Sequence, residues 1–182
     1  YIMDVEFDTS IYAQRISSVF GSGSNSSVNY PDSYLGYQLK TVSRMLAGGS
    51  KTKVFLVHRY GFDTHDNQIQ TIGNPNLGWH AELMADVFDS IKAFHDDLGN
   101  LGISQNVVSV TMSEFGRKII ENAALGTDHG TLAPMFLFGD PVAGGMTGHN
   151  MDMDDQDNQG APDNSQLQYD YRQIFTSLYQ DW

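Results

Sequence analysis

The stretch VFLVHRYGFDTHDN, residues 54–67, joins an uninterrupted apolar run to a segment bearing Asp63 and His65. Four consecutive apolar residues with no polar alternation predict a strand buried on both faces. Chemistry-bearing side chains directly after such a strand are expected at its carboxyl end, where parallel α/β sheets collect ligands. Two further segments repeat the pattern. Residues 107–112 read as a second buried strand and deliver SEFGR at 113–117, while GTDHGTLAP at 126–134 leads into a third strand over 135–138.

Helical periodicity fills the spaces between these runs. Residues 11–20 can form a short amphipathic helix, followed by a Gly- and Ser-rich loop over 21–33. Leu35, Leu39, Val42, Met45 and Leu46 share one face of a helix over 35–46, which Gly48 and Gly49 terminate. Trp79, Leu83, Val87, Phe88, Ile91, Phe94 and Leu98 form the stripe of a longer helix, with Gly99 just past its end. A short helical stretch over 118–124, a polar loop over 144–164 and a terminal helix over 171–182 complete the reading. In that last helix Ile174, Phe175, Leu178 and Tyr179 are expected to face inward. Strand, helix, strand, short helix, strand predicts an α/β fold with a mostly parallel sheet sandwiched by helices, in a single domain over 1–182.

Composition narrows the partners. The 182 residues carry 22 Asp and Glu against 10 Lys and Arg, a net charge of -12, which disfavours nucleic acid and anionic membrane surfaces. A bound divalent cation can still dominate the field around a small anionic substrate. The absence of cysteine removes disulfides, thiolate metal sites and cysteine nucleophiles together. No run of eighteen apolar residues exists, so no transmembrane segment is expected. The chain opens at Tyr1 without Met or a leader, which predicts a processed or partial product.

Carboxylates combined with imidazoles suit Zn, Mn or Fe, whereas Ca or Mg usually take oxygen alone. Asp63, His65 and Glu114 follow strands and point to one sheet edge if those strands are parallel; Asp128 and His129 reach it if their loop folds back. Each residue also has a plainer reading. Asp63 and His65 suit a turn cap and a surface imidazole, Glu114 a helix cap or a partner of Arg117, and Asp128 a turn residue bonding its own backbone. His58, His80 and His95 read as packed or solvated, while His149 lies in a Gly-rich loop of the kind that lines sites. Asp152, Asp154, Asp155 and Asp157 lack the spacing of a calcium loop. No nucleophile declares itself: Ser113 and Thr127 adjoin the candidate ligands, yet neither occupies a GxSxG elbow.

Taken together, KTKVFLVHRYGFDTHDNQ, VVSVTMSEFGRKIIENAALGTDHGTLAPMFLFG and YDYRQIFTSLYQDW resemble the bacterial exported proteins grouped as domain of unknown function 1501. The similarity runs from about residue 34 to the end. That family resembles the alkaline phosphatase and sulfatase superfamily, which implies metals at strand ends and hydrolysis or transfer of phosphate or sulfate esters. In the alignment this resemblance implies, Asp63 and His65 fill an Asp-then-His element, and residues 113–116 stand where Ser-Asp-His-Gly is usual. His129, with Thr131 and Pro134, fits a later His before the last strand. Phe115 departs from the pattern, standing where a metal-binding His is expected. In a second alignment Asp128 and His129 form the Asp-His pair and His149 is the later His. The superfamily's nucleophile comes early in the full protein, so the chain is expected to be incomplete at its N-terminus.

The expected function is thus an exported metal-dependent hydrolase. Its ligands would be Asp63, His65, Glu114, Asp128 and His129, with Asp128 alternatively orienting His129, and Arg117 would pair with the anionic group of a small ester. Zn, Mn, Ca or Mg is the expected metal. The alternatives are an inactive surface or extracellular protein with protein partners, which Phe115 and the missing nucleophile motivate, and a calcium- or carbohydrate-binding module.

Overall fold

A computed structural model describes residues 2–181, with side chains over 9–180. Four helices form: α1 (Ile2–Ser22), α2 (Tyr34–Ala47), α3 (Trp79–Asn100) and α4 (Tyr171–Asp181). Four two-residue strands accompany them: β1 (Ser109–Val110), β2 (Gly116–Arg117), β3 (His129–Gly130) and β4 (Leu137–Phe138). β1 pairs with β4 and β2 with β3, the latter pair antiparallel with Gly116 opposite Gly130 and Arg117 opposite His129. No helix among the described residues is long and apolar enough to cross a membrane.

The chain divides into two compact units. The first takes in the chain up to Phe62, His80–Ser109 and Phe138–Val142; the second takes Asp63–Trp79, Val110–Leu137 and the chain from Ala143 onward. The first unit holds the apolar core, where Leu35, Leu39 and Val42 of α2 meet Ile91, Phe94 and Leu98 of α3. α2 begins because Ser33 is extended and its Oγ accepts the Gly36 amide at 3.0 Å, satisfying one orphan donor of the first turn. Its C-terminal end lies against α1 at van der Waals limits. A Cβ on Gly48 would stand 1.9 Å from the Val19 carbonyl oxygen, so only glycine fits. Arg44 closes this join, donating to the carbonyls of Phe20 and Gly23 and lying 3.9 Å over the Phe20 ring.

Asp97 is fully buried in the same unit, beside Leu98. Its carboxylate accepts from the Asn25 amide, the Ser26 backbone N–H, the Tyr30 hydroxyl and the Ser43 hydroxyl, all at 2.7–2.9 Å. Burial pushes the carboxyl up, but the bonds from Ser26, Ser43 and Asn25 outweigh it and bring it down to about 2.

The mostly parallel sheet sandwiched by helices, of alkaline phosphatase and sulfatase type, is not what the described chain forms. Its sheets are two pairs of two-residue strands, β2 and β3 antiparallel. The run over 54–57 shows why the expectation failed. Val54 and Leu56 are 82% and 74% exposed while Phe55 and Val57 pack on the core, so one face is solvated and the run is not doubly buried. Instead of a neighbouring strand, the Gln38 side chain takes both main-chain groups of His58, its Oε1 accepting from N–H and its Nε2 donating to C=O. Apolar runs supply burial, but a ladder needs a partner backbone. Residues 118–124, expected to be helical, run through bends and turns instead. The terminal helix forms, with Ile174 and Leu178 partly buried, but Phe175 and Tyr179 are exposed, and Trp182 lies outside the described residues.

Glutamine amides recur as main-chain clamps in the second unit. Gln168 brackets His149 by the same two bonds, and Gln166 holds the carbonyls of Asp152 and Asp155 and the Asp152 amide. The long loop over 144–164 is ordered in this way rather than by an apolar core.

Candidate metal centre

Two segments of the second unit meet to build the site. The His65 N–H closes a three-residue turn on the Asp63 carbonyl at 3.2 Å, and across it His65 Nε2 lies 2.9 Å from Asp63 Oδ1, so the two residues present their side chains together. The 63–70 segment is tied to residues 122–128 by several bonds. Asn67 and Ile69 amides donate to the Ala124 and Leu125 carbonyls, Asn122 Nδ2 donates to the His65 carbonyl at 2.7 Å, and Thr127 donates to Gln68. Asn67 and Leu125 both adopt positive φ, 47° and 60°, a conformation that costs about 1 kcal/mol or more for a non-glycine residue. Gly126 passes so near the His65 carbonyl oxygen that a Cβ would lie 2.3 Å from it.

His129 arrives on β3, opposite Arg117 of β2. Its Nε2 lies 2.7 Å from Asp63 Oδ1, and His65 Nε2 lies 2.9 Å from the same oxygen. Ligand atoms of Asp63, His65 and His129 all fall within 4.8 Å of one another. Ligands bonded at about 2.0–2.1 Å to a tetrahedral cation stand roughly 3.3 Å apart, so a small opening of this group admits one. Phe115 stacks on His129 with ring centroids 3.9 Å apart and planes within 10°, fixing one face of the imidazole. The Arg117 guanidinium lies 5.0 Å from the Phe115 ring centroid, donates to the Thr127 carbonyl, and stands 3.7 Å from Asp63 Oδ1.

The field of the centre is locally balanced despite the acidic chain. The hydrogen bond from His129 holds the Asp63 carboxyl below its usual range; burial is the next largest effect and opposes it, and the charges of the two imidazoles and Arg117 add to the lowering. Asp128 is likewise held down, first by His65, then by Asn122 and more weakly by Lys118. Burial lowers Arg117, with Asp63 and Asp128 opposing.

The expected ligands separate into three groups. Asp63, His65 and His129 come together. Asp128 does not touch His129 in the way expected of an orienter; its Oδ1 lies 3.1 Å from His65 Nδ1. Glu114 is exposed and stands outside the grouping of Asp63, His65 and His129. His149 is held by Gln168, in the long loop. Three contributors were not singled out in the sequence. Asn122 knits the two segments, Lys118 lies 3.6 Å from Asp128, and Thr64, 4% exposed between the two ligands, buries a hydroxyl without a hydrogen-bond partner. The Asp-x-His spacing is a local signal, whereas the contacts that bring His129, Asp128, Asn122 and Arg117 to Asp63 and His65 join residues more than fifty positions apart.

Comparison with curated proteins and with solved structures gave no match. A family model described as "Protein of unknown function (DUF1501)" matches residues 17–167, a span that contains α2, α3, the four strands and every residue of the centre. The chain therefore belongs to the DUF1501 family.

Proposed function

We propose that Asp63, His65 and His129 hold one divalent transition metal, and that the protein is an exported hydrolase acting on small phosphate or sulfate esters. The observation that carries the reading is the convergence of two imidazole Nε2 atoms on one carboxylate oxygen, at 2.7 and 2.9 Å. A mixed N and O set favours Zn, Mn or Fe over Ca or Mg. Such a metal would polarise an ester oxygen and lower the pKa of bound water.

The protein's own groups supply the rest. Asp63 and Asp128 are balanced by Arg117 and Lys118, so an added divalent charge leaves the centre net positive within a chain of net charge -12. That local sign attracts an anionic ester. Arg117 offers a planar donor set beside Asp63, suited to phosphate or sulfate oxygens. Phe115 walls the His129 face and keeps the imidazole from turning away. Export rests on the family resemblance alone.

Zinc or manganese content of the purified protein, compared with Asp63→Ala, tests the metal; correctly folded protein that takes up neither ends the proposal. Turnover of aryl phosphate and aryl sulfate esters then tests hydrolysis. One observation favours a second reading, a surface protein that keeps the metal without turnover. Three hydroxyls near the centre are engaged elsewhere, Ser113 with the Phe115 carbonyl, Thr127 with Gln68 and Thr131 with the Pro162 carbonyl, while that of Thr64 is buried. Metal uptake without turnover of either ester selects this reading.

A further inference from the structure

We infer that Asp128 is a positioning residue for His65, fixing the imidazole tautomer so that Nε2 is the nitrogen offered to the metal. The inference rests on the metal reading of Asp63, His65 and His129. His65 lies between two carboxylates, with Nδ1 3.1 Å from Asp128 Oδ1 and Nε2 2.9 Å from Asp63 Oδ1. A carboxylate is an acceptor only, so the bond to Asp128 requires hydrogen on Nδ1. In the neutral ring Nε2 then carries a lone pair, and it faces the Asp63 oxygen. Two acceptors at that separation repel unless a proton on Nε2 or a cation bound beside both atoms offsets their charge. The metal position is therefore defined by a specific ring nitrogen, and Asp128 decides which one.

Asp128 is itself held in place. Lys118 Nζ stands 3.6 Å from its second oxygen, and the Asn122 side chain, which donates to the His65 carbonyl, helps hold the Asp128 carboxyl below its usual range. Asn122 Oδ1 in turn accepts from the Ala124 and Gly126 amides. Asn122 thus ties the main chain of the two segments that carry the His65–Asp128 contact, although those residues are 63 positions apart. A carboxylate on the far nitrogen also makes the ligating nitrogen more basic, and removing such a partner typically weakens metal binding about 10–100-fold.

The test is a zinc titration against a chelating dye on the wild type, Asp128→Asn, Asp128→Ala and His65→Ala. Two-bond proton–nitrogen NMR of His65 in the metal-free proteins is read alongside it. Asp128→Asn keeps an acceptor oxygen and loses the charge, so about 10-fold weaker binding with the Nδ1–H tautomer retained is expected. Asp128→Ala loses both and should bind about 100-fold more weakly, with the tautomer shifted to Nε2–H. Either variant should still bind one zinc. An Asp128→Ala protein that binds within twofold of wild type, or that keeps the Nδ1–H tautomer, overturns the inference. An Asp128→Asn protein as defective as His65→Ala also overturns it, because Asp128 would then be a direct ligand. Wild type that binds no zinc overturns the metal reading itself, and the tautomer comparison still decides whether Asp128 orients His65.

Discussion

The two units are stabilised by different physics. In the first, six core side chains of α2 and α3 are removed from water, and one buried carboxylate gathers four donors among them. In the second, the buried residues are small, among them Gly116, Gly126, Gly160, Ala161 and Pro162, and order comes from close backbone approach and individual polar bonds. Apolar burial is non-directional and tolerates small displacements. A site assembled from single bonds holds an exact geometry only while each bond is present, and an added cation can contribute a large share of its stability.

The largest expected effect strikes the first unit. Asp97→Ala leaves the Asn25, Ser26, Tyr30 and Ser43 donors without their acceptor, and denaturant unfolding should show a loss of about 3–5 kcal/mol. Acid should act on the same group. Its carboxyl titrates at about 2 in the fold against an ordinary 3.8, so its contribution is complete above pH 4 and disappears as pH falls from 4 toward 2. An acid unfolding curve whose slope in that window is unchanged by Asp97→Asn would contradict this.

Gly116→Ala should have the next largest effect, and in the other unit. The new Cβ would lie 1.8 Å from the Leu132 carbonyl oxygen, forcing β2 away from β3 and carrying His129 with it. A loss of about 1–3 kcal/mol is expected, together with zinc binding weaker than wild type. Wild-type affinity in a folded Gly116→Ala protein would show that the β2–β3 pairing does not position His129.

Zinc addition sharpens the contrast without mutation. At a hundredfold excess over the dissociation constant, mass action stabilises the bound form by about 2.7 kcal/mol. Hydrogen exchange should slow at the Asn67, Asn122 and Gly126 amides and stay unchanged at Leu98. Uniform slowing across both units would break the comparison. The smallest effect is Thr64→Val. Removing a buried hydroxyl that has no partner should be neutral or stabilising by up to about 1 kcal/mol, with unchanged zinc affinity.

Legibility in the sequence follows the same division. α2 and α3 are readable because a 3.6-residue stripe reports burial directly, and their core residues fall on that stripe. The apolar run over 54–57 reports hydrophobicity but not which backbone will face it, and the Gln38 amide takes the place expected of a strand. Asp63 and His65 are readable as a pair because two-residue spacing is local. That Asp128 meets His65 rather than His129 depends on how residues 122–128 fold back, which Asn122 decides and no spacing encodes. Glu114 carries the right chemistry at the end of an expected strand. The short strand that forms, β2, begins two residues later, and Glu114 remains exposed.

The glutamine clamps have a consequence for how the molecule meets its surroundings. Gln38, Gln166 and Gln168 bind main chain through uncharged amides, so the segments they hold are indifferent to ionic strength. The contacts of Lys118 with Asp128 and of Arg117 with Asp63 are partly solvated charge pairs and weaken as the Debye length shortens from about 10 Å at 0.1 M toward 3 Å at 1 M. Rising salinity would therefore loosen the electrostatics of the centre while its loops keep their shape.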